Sequence, residues 1–239
     1  LEKVIKICDV VIHCAAVKNS NKKNNFEILE RNLLGTYKLI DLAAKLKIKH
    51  VVYISAVNLF NNTYTQKINE KSKVDPQNIY TFSKYLSELV CQYYFNNSNT
   101  NFTILRISAP YGQKSKQKSV VETFIKNIKE NKNIYLFGSG KRSQVFTHVD
   151  DIASSCIFAI KNRKYGTFNI AGNQTTSMKS LANSIILLNK NSKSKVIYLK
   201  KKDPFEKQRR YVDINKAKKI LKFKPIDLKD GIKKMYNNY

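Results

Sequence analysis

Three short, mostly apolar runs separated by segments of other periodicity constrain this chain more than any other feature. They are Asp9–Ala16 (DVVIHCAA), Val51–Ser55 (VVYIS) and Phe102–Ser108 (FTILRIS). Runs of this length and composition suit parallel strands buried on both faces. Between the first two, Ile28, Leu29, Leu33, Tyr37, Ile40 and Ala44 recur at helical spacing, so Phe26–Leu46 reads as one helix. Strand, helix, strand in this order is the right-handed crossover unit of a parallel sheet, which places the chain in the α/β class. In such sheets ligands bind beyond the carboxyl ends of the strands, where Ala15, Ala16, Ser55 and Ile107 fall.

The second strand leads into a polar stretch, Asn61–Asn78, that ends in the turn-forming Asp75-Pro76. A helix is then expected from Ile79 to about Tyr94. On it Tyr80 and Lys84 stand four residues apart and share one face. A phenol is a poor base at neutral pH, and a cation beside it favours the phenolate, so this pairing can serve proton transfer at a hydroxyl. A solvated helix face is the bland reading of the same spacing.

Beyond Ser119 the pattern changes. A helix near Val120–Glu130 precedes IYLF, a turn at Gly138-Ser139-Gly140 and a second extended piece. The two glycines follow no long buried strand and open no helix, so they read as a turn and not as a phosphate loop. Asp150 and Asp151 suit a helix N-terminus, where carboxylates cap amides; no further acidic ligand nearby supports a metal pair. Strands are expected at Phe168–Ala171 and Val196–Leu199, and helices at Met178–Leu188, Lys216–Leu221 and Leu228–Tyr236. Leu1–Ile7 reads as the last turns of a helix, so that the sequence opens in mid-structure.

Composition excludes some classes of function and leaves one open. There is no run of about 18 apolar residues and no signal-peptide pattern, so neither a membrane span nor secretion is expected. Cys8, Cys14, Cys91 and Cys156 lack metal or disulfide spacing and read as core residues of a protein in a reducing cytoplasm. His13, His50 and His148 share no ligand spacing and read as structural. The 44 Lys+Arg against 17 Asp+Glu, net +27, would attract polyanions. The lysines are spread along the chain, however, and no zinc-finger or RNP-like motif supports specific nucleic-acid recognition.

Taken together, DVVIHCAA, NLLGT (Asn32–Thr36), VVYIS, YTFSK (Tyr80–Lys84), LRISAPYG (Leu105–Gly112), FGSGKRSQVFTHVDDIA with TFNIAG, and DINKAKKILKFKP occur in the order of one known family. The chain resembles the extended short-chain dehydrogenase/reductases, specifically the nucleotide-sugar epimerase/dehydratases, over essentially its whole length. The resemblance implies a partial Rossmann-type parallel sheet formed by residues 1–112, with 145–171 returning to it, and a small C-terminal α/β substrate lobe in 113–239. It implies that Tyr80 transfers the proton and that Lys84 binds the nicotinamide ribose and lowers the Tyr80 pKa, with Ser55 a further catalytic candidate. It further implies that Ala15, Ala16, Asn32, Ser55 and Ile107 line NAD, or alternatively NADP, and that Lys141, Arg142, Gln144 and Arg209 meet a nucleotide-sugar substrate. A homodimer is implied by analogy.

The departures from the family pattern carry expectations of their own. The Gly-rich turn that holds a pyrophosphate is absent; the part that would bear it amounts to on the order of 60 to 70 residues at about 30 per βαβ unit. The chain is thus expected to be a fragment whose first strand is an exposed edge. Ala56 stands where the family places a catalytic Ser or Thr. Val57 and Asn58 stand where its dehydratases carry acids, which disfavours dehydration and favours epimerase or reductase chemistry. Ala109 and Gln144 replace an Asn and an Arg. A non-catalytic member that binds a nucleotide-sugar or a partner protein is the competing reading.

Overall fold

The computed structural model describes residues 1–18, 24–61, 67–113, 119–189 and 191–238. A short helix α1 (Glu2–Ile5) leads into strand β1 (Val10–His13). Helix α2 (Asn25–Leu29) runs through a π-helical turn at Glu30–Leu34 into α3 (Gly35–Lys45). The single helix expected over Phe26–Leu46 is therefore interrupted. Its buried stripe is Ile28, Asn32, Thr36, Ile40 and Ala43, so two polar residues occupy a face that an apolar pattern could not reveal. Strand β2 (His50–Ala56) and a 3₁₀ turn at Val57–Leu59 come next, then α4 (Ile79–Asn97), β3 (Asn101–Ile107) and the short β4 (Pro110–Tyr111).

The start of α4 is set by Asn78. Its side chain accepts from the Thr81 amide at 2.9 Å while the Thr81 hydroxyl accepts from the Asn78 amide, a reciprocal cap that satisfies two amides at once. Helix α5 (Val120–Lys129), β5 (Ile134–Phe137), β6 (Ser143–Val145) and β7 (Thr147–His148) lead into α6 (Val149–Lys161). They are followed by β8 (Gly166–Ile170), β9 (Thr175–Ser177), α7 (Met178–Ile186), β10 (Val196–Leu199), α8 (Asn215–Ile220) and α9 (Leu228–Asn237). Gly138 and Gly140 adopt positive φ of 55° and 67°, as the turn reading of this segment requires.

The main sheet is parallel throughout, in the order β1-β2-β3-β8. Side chains alternate across it. Val51 and Tyr53 join Ile40, Ala43, Cys91, Phe102 and Ile104 on the face covered by α3 and α4. Val52 joins Leu105, Phe168, Cys156 and Ala159 on the opposite face, under α6. This is the two-residue period of strands with both faces covered. β1 reads as a buried strand by composition alone, but it is the exposed edge that the departures from the family pattern led us to expect: it pairs only with β2 among the described residues, and Ile12 is 45% exposed.

A separate cluster unites Val121, Phe124, Ile125 and Ile128 of α5 with Leu181 and Ile185 of α7, Ile134 and Leu136 of β5, and Ile232 and Met235 of α9. β5 pairs there with β10 in parallel, while β6 pairs with β9 antiparallel. The cysteines divide. Cys91 and Cys156 are buried as expected, whereas Cys8 and Cys14 are exposed, because both flank a strand at the sheet edge.

Asp150 and Asp151 lie in the first turn of α6, as expected, although the side-chain N-cap is a third residue, His148. Its Nδ1 accepts from the Asp150 amide at 3.2 Å. Asp151 accepts instead from the Ile226 amide, and Asp150 pairs with Lys234. Beyond β8, the chain passes so close to the β6–β7 segment that a methyl at Gly172 would overlap the Phe146 carbonyl oxygen. Gly172→Ala is expected to destabilise the protein by about 2 kcal/mol through this overpacking. The check is a lowered urea-unfolding midpoint at unchanged m-value.

Candidate functional site

The carboxyl ends of β1, β2 and β3 open onto a cavity of about 460 Å³. Cys14, Ala16 and Lys18 reach it from beyond β1, Ile54, Ser55 and Ala56 from β2, and Ile107, Ser108 and Ala109 from β3 and its exit. Helix α4 adds Tyr80 and Lys84, and the later chain adds Gln144, Gln208 and Arg210. The cations Lys18, Lys84 and Arg210 line this space, and no carboxylate does among the described residues. Its volume suits a small-molecule ligand.

Lys84 is buried, and its ammonium donates to the Ile54 carbonyl at 2.5 Å while standing 4.4 Å from the centre of the Tyr53 ring. Burial lowers its pKa to about 8, against an opposing pull from the Glu88 carboxylate. Tyr80 differs from the expectation drawn from the Tyr80–Lys84 spacing. Burial raises its phenol above the ordinary value, because the Lys84 ammonium is directed at the β2 backbone and the Tyr53 face. Ser55 places a buried hydroxyl at the cavity with no hydrogen-bond partner among the described groups. A buried hydroxyl left unpaired costs free energy until a ligand or water satisfies it.

Asn32 stands in the π-helical turn and serves the cavity indirectly. Its amide grips the backbone of Val17, accepting from the amide at 2.7 Å and donating to the carbonyl at 2.8 Å, and it also donates to the Ser83 hydroxyl at 3.0 Å. Ser83 in turn donates to the Tyr80 carbonyl. Asn32 therefore ties the loop beyond β1 to the start of α4, and its polar atoms are spent inside the protein. π-helical turns recur where a helix must turn a side chain to such a task. Of the alanine pair, Ala16 lines the cavity and Ala15 does not.

The expected substrate residues separate. Gln144 lines the cavity. Arg142 lines an adjoining recess of about 200 Å³ with Asn58, Gln77, Asn78, Phe205 and Gln208, and its guanidinium faces Asp203 at 3.5 Å. Lys141 is exposed on the turn and reaches neither space. Arg209 folds back onto its own loop, donating to the Glu206 and Gln208 carbonyls. Its neighbour Arg210 enters the cavity instead, with NH1 on the Val57 carbonyl at 3.0 Å and a pKa lowered by burial to about 10. Gln208, Arg210, Val212 and Ile214 are buried and their odd-numbered neighbours are not, a two-residue alternation in an extended strap that the sequence marks only at Val212 and Ile214 and not at the two arginines.

Ala109 carries a positive φ of 29° at the cavity wall, a conformation that L residues other than Asn, Asp and Gly seldom adopt. Ala56 presents only a methyl there.

Comparison with known proteins agrees with this geometry. The chain is 31% identical over 245 residues to a putative UDP-glucose 4-epimerase of Methanocaldococcus jannaschii, covering 99% of this chain and 79% of that protein. It is 30% identical over 193 residues to the dTDP-D-glucose 4,6-dehydratase of Dictyostelium discoideum, a match that covers 74% of this chain but spans less than half, 44%, of that protein. Among solved structures, the UDP-glucuronic acid 4-epimerase of Bacillus cereus, crystallised with UDP-glucuronic acid and NAD, superposes with a TM-score of 0.87 at 24% identity. That superposition covers 99% of this chain and 76% of the other, and the two share a fold. The model of the NAD dependent epimerase/dehydratase family matches residues 1–171. With those residues forming the parallel sheet and most of the cavity wall, the chain belongs to the NAD dependent epimerase/dehydratase family.

Proposed function

We propose that the protein interconverts or reduces a nucleotide-sugar with NAD as cofactor, and that the cavity at the carboxyl ends of β1–β3 is its active site. One observation carries this reading: Tyr80 and Lys84 face a space lined by three cations and by no carboxylate among the described residues. A doubly anionic diphosphate ester suits such a lining. The lining also suits the nicotinamide end of a dinucleotide beyond the strand ends, since the unpaired Ser55 hydroxyl and the small Ala16 permit close approach. Ala16, Ser55, Ile107 and Lys84 would hold NAD, whose nicotinamide would supply a hydride acceptor when oxidised and a hydride donor when reduced.

On this reading Tyr80 moves a proton at the sugar hydroxyl. Oxidation of the sugar carbon releases the hydroxyl proton first, so Tyr80 accepts it as phenolate and returns it on reduction; burial raises its pKa, and forming that phenolate needs the cationic surroundings of the loaded site. Lys84 contributes charge and fixes the depth of the cavity floor. Ala56 supplies no hydroxyl, which leaves Ser55 as the nearest one on β2. Asn58 offers no acid to protonate a departing water, so epimerisation or reduction is favoured over dehydration. Gln144 and Arg210 are assigned to the substrate, with Arg142 in the recess beyond. The parallel sheet with α3, α4 and α6 forms the cofactor-binding part, and the cluster around α5, α7 and α9 forms the substrate lobe.

A second copy of the chain is the proposed partner. Phe26, Leu34, Tyr37, Phe82, Leu89 and Tyr93 are exposed along α2, the π-helical turn, α3 and α4, a density of large apolar side chains that marks interaction surfaces. Two charged substitutions on that face, Tyr37→Glu with Tyr93→Glu, are expected to yield a monomer by sedimentation velocity where the parent chain sediments as a dimer.

The reaction is tested by incubating the protein with NAD and UDP-glucose or UDP-glucuronic acid and separating the products by chromatography. Tyr80→Phe is expected to lower kcat by about 10²–10⁴-fold with cofactor binding retained; unchanged turnover in that variant would sink the assignment. The rate is expected to hold up to pH of about 8 and fall above it. The sign follows from Lys84, which is charged below its lowered pKa and neutral above it. A profile that stays level to pH 10 would remove the charged Lys84 from the mechanism.

A further inference from the structure

Glu88 lies one helical turn beyond Lys84 and two beyond Tyr80 on the same face of α4, and it is fully buried. Arg106, next to the cavity-lining Ile107 on β3, holds it with three short contacts: Nε to Oε1 at 3.0 Å, Nε to Oε2 at 3.2 Å and NH2 to Oε2 at 2.7 Å. The remaining arm of Arg106 donates to the Glu70 carbonyl at 3.1 Å, and its guanidinium stands 5.5 Å from the centre of the buried Phe60 ring. A buried ion pair of this kind is a weak source of stability, because a well-packed apolar pair does as well or better. An apolar pair could clamp α4 to the sheet. It could not place a negative charge beneath Lys84.

We propose that Glu88 is a positioning residue for Lys84: clamped by Arg106 one helical turn away, its buried carboxylate keeps the ammonium on the cavity floor charged, while the Ile54 carbonyl and the Tyr53 ring set its aim. The inference rests on the function proposed for Lys84. Among the described groups around Lys84, Glu88 is the one carboxylate. His13 and Cys14 face it from β1 and the residue beyond, Tyr53 from β2, and Tyr80, Glu88 and Cys91 from α4 itself. Burial works against the charged form, and Glu88 is the foremost influence opposing it. The carboxylate end of the ion pair shares α4 with Lys84, whereas Arg106 reaches it from β3.

The test is a titration of Lys84 by NMR in protein carrying ¹³C-labelled lysine, with its resonance assigned by loss in Lys84→Arg. Two variants are compared with the parent: Glu88→Gln, which keeps the shape and removes the charge, and the double variant Glu88→Met with Arg106→Met, which replaces the pair by apolar packing. In both, the Lys84 midpoint is expected to fall by about one pH unit, and the alkaline limb of the rate profile to move by the same amount. If Glu88→Gln does not fold, the double variant decides. A parent-like Lys84 midpoint in a folded variant overturns the proposal and leaves the pair a helix clamp. Should the parent show no turnover of nucleotide-sugars while the midpoint still shifts, the positioning role stands and the reaction assignment alone fails.

Discussion

Holding a lysine ammonium inside the protein is the constraint around which this structure is arranged. Lys84 can be buried only because the β2 carbonyl of Ile54 accepts its proton, the Tyr53 ring presents a π-face, and Glu88 stands one turn below. Each condition fixes a larger element. The Ile54 contact sets the distance of α4 from the sheet. The Tyr53 contact requires that odd-numbered β2 residues face α4, which sends Val52 to the core beneath α6. The buried Glu88 carboxylate is held in turn by Arg106, which stands on β3 opposite Asn169 of β8.

A second set of contacts brings distant chain to the same place. The strap that carries Gln208 and Arg210 is fastened at several points. Ser143 donates to the Gln208 carbonyl, Thr175 to the Arg210 carbonyl, and Glu206 accepts from Ser139. Arg210 then reaches the backbone just beyond β2. None of these contacts is apolar. The turn at 138–143, with its two positive-φ glycines, supplies part of this fastening, Thr175 and the Val57 carbonyl supply more, and Val212 and Ile214 anchor the end of the strap in the core.

Much of the fold was legible because parallel strands and their helices leave a coarse apolar record: β2, β3, β8, β10, α4, α5 and α7 lie within a few residues of their expected places. The pairing of Tyr80 with Lys84 was legible too, as a spacing. What the spacing could not carry was direction. Two side chains on one helix face do not meet when one has a better acceptor across the sheet, so the expected lowering of the Tyr80 pKa is replaced by a rise from burial. Asn32 was recognisable as a residue of the site but not as a tether, because its partners lie 15 and 51 residues away. Arg209 and Arg210 are adjacent, identical in type and opposite in orientation. Only the alternation of burial along the strap separates them, and hydrogen bonds to other segments set that alternation.

The left-handed backbone at Ala109 bears on how such a cavity can change its chemistry over generations. A wall position held at positive φ is closed to β-branched side chains, whose steric cost there is high, and open to Gly and Asn. The cavity can therefore gain an amide at 109, and with it a new donor and acceptor toward a ligand, at no conformational cost to the fold. Polarity at this point of the wall is a freely adjustable trait, whereas bulk is not.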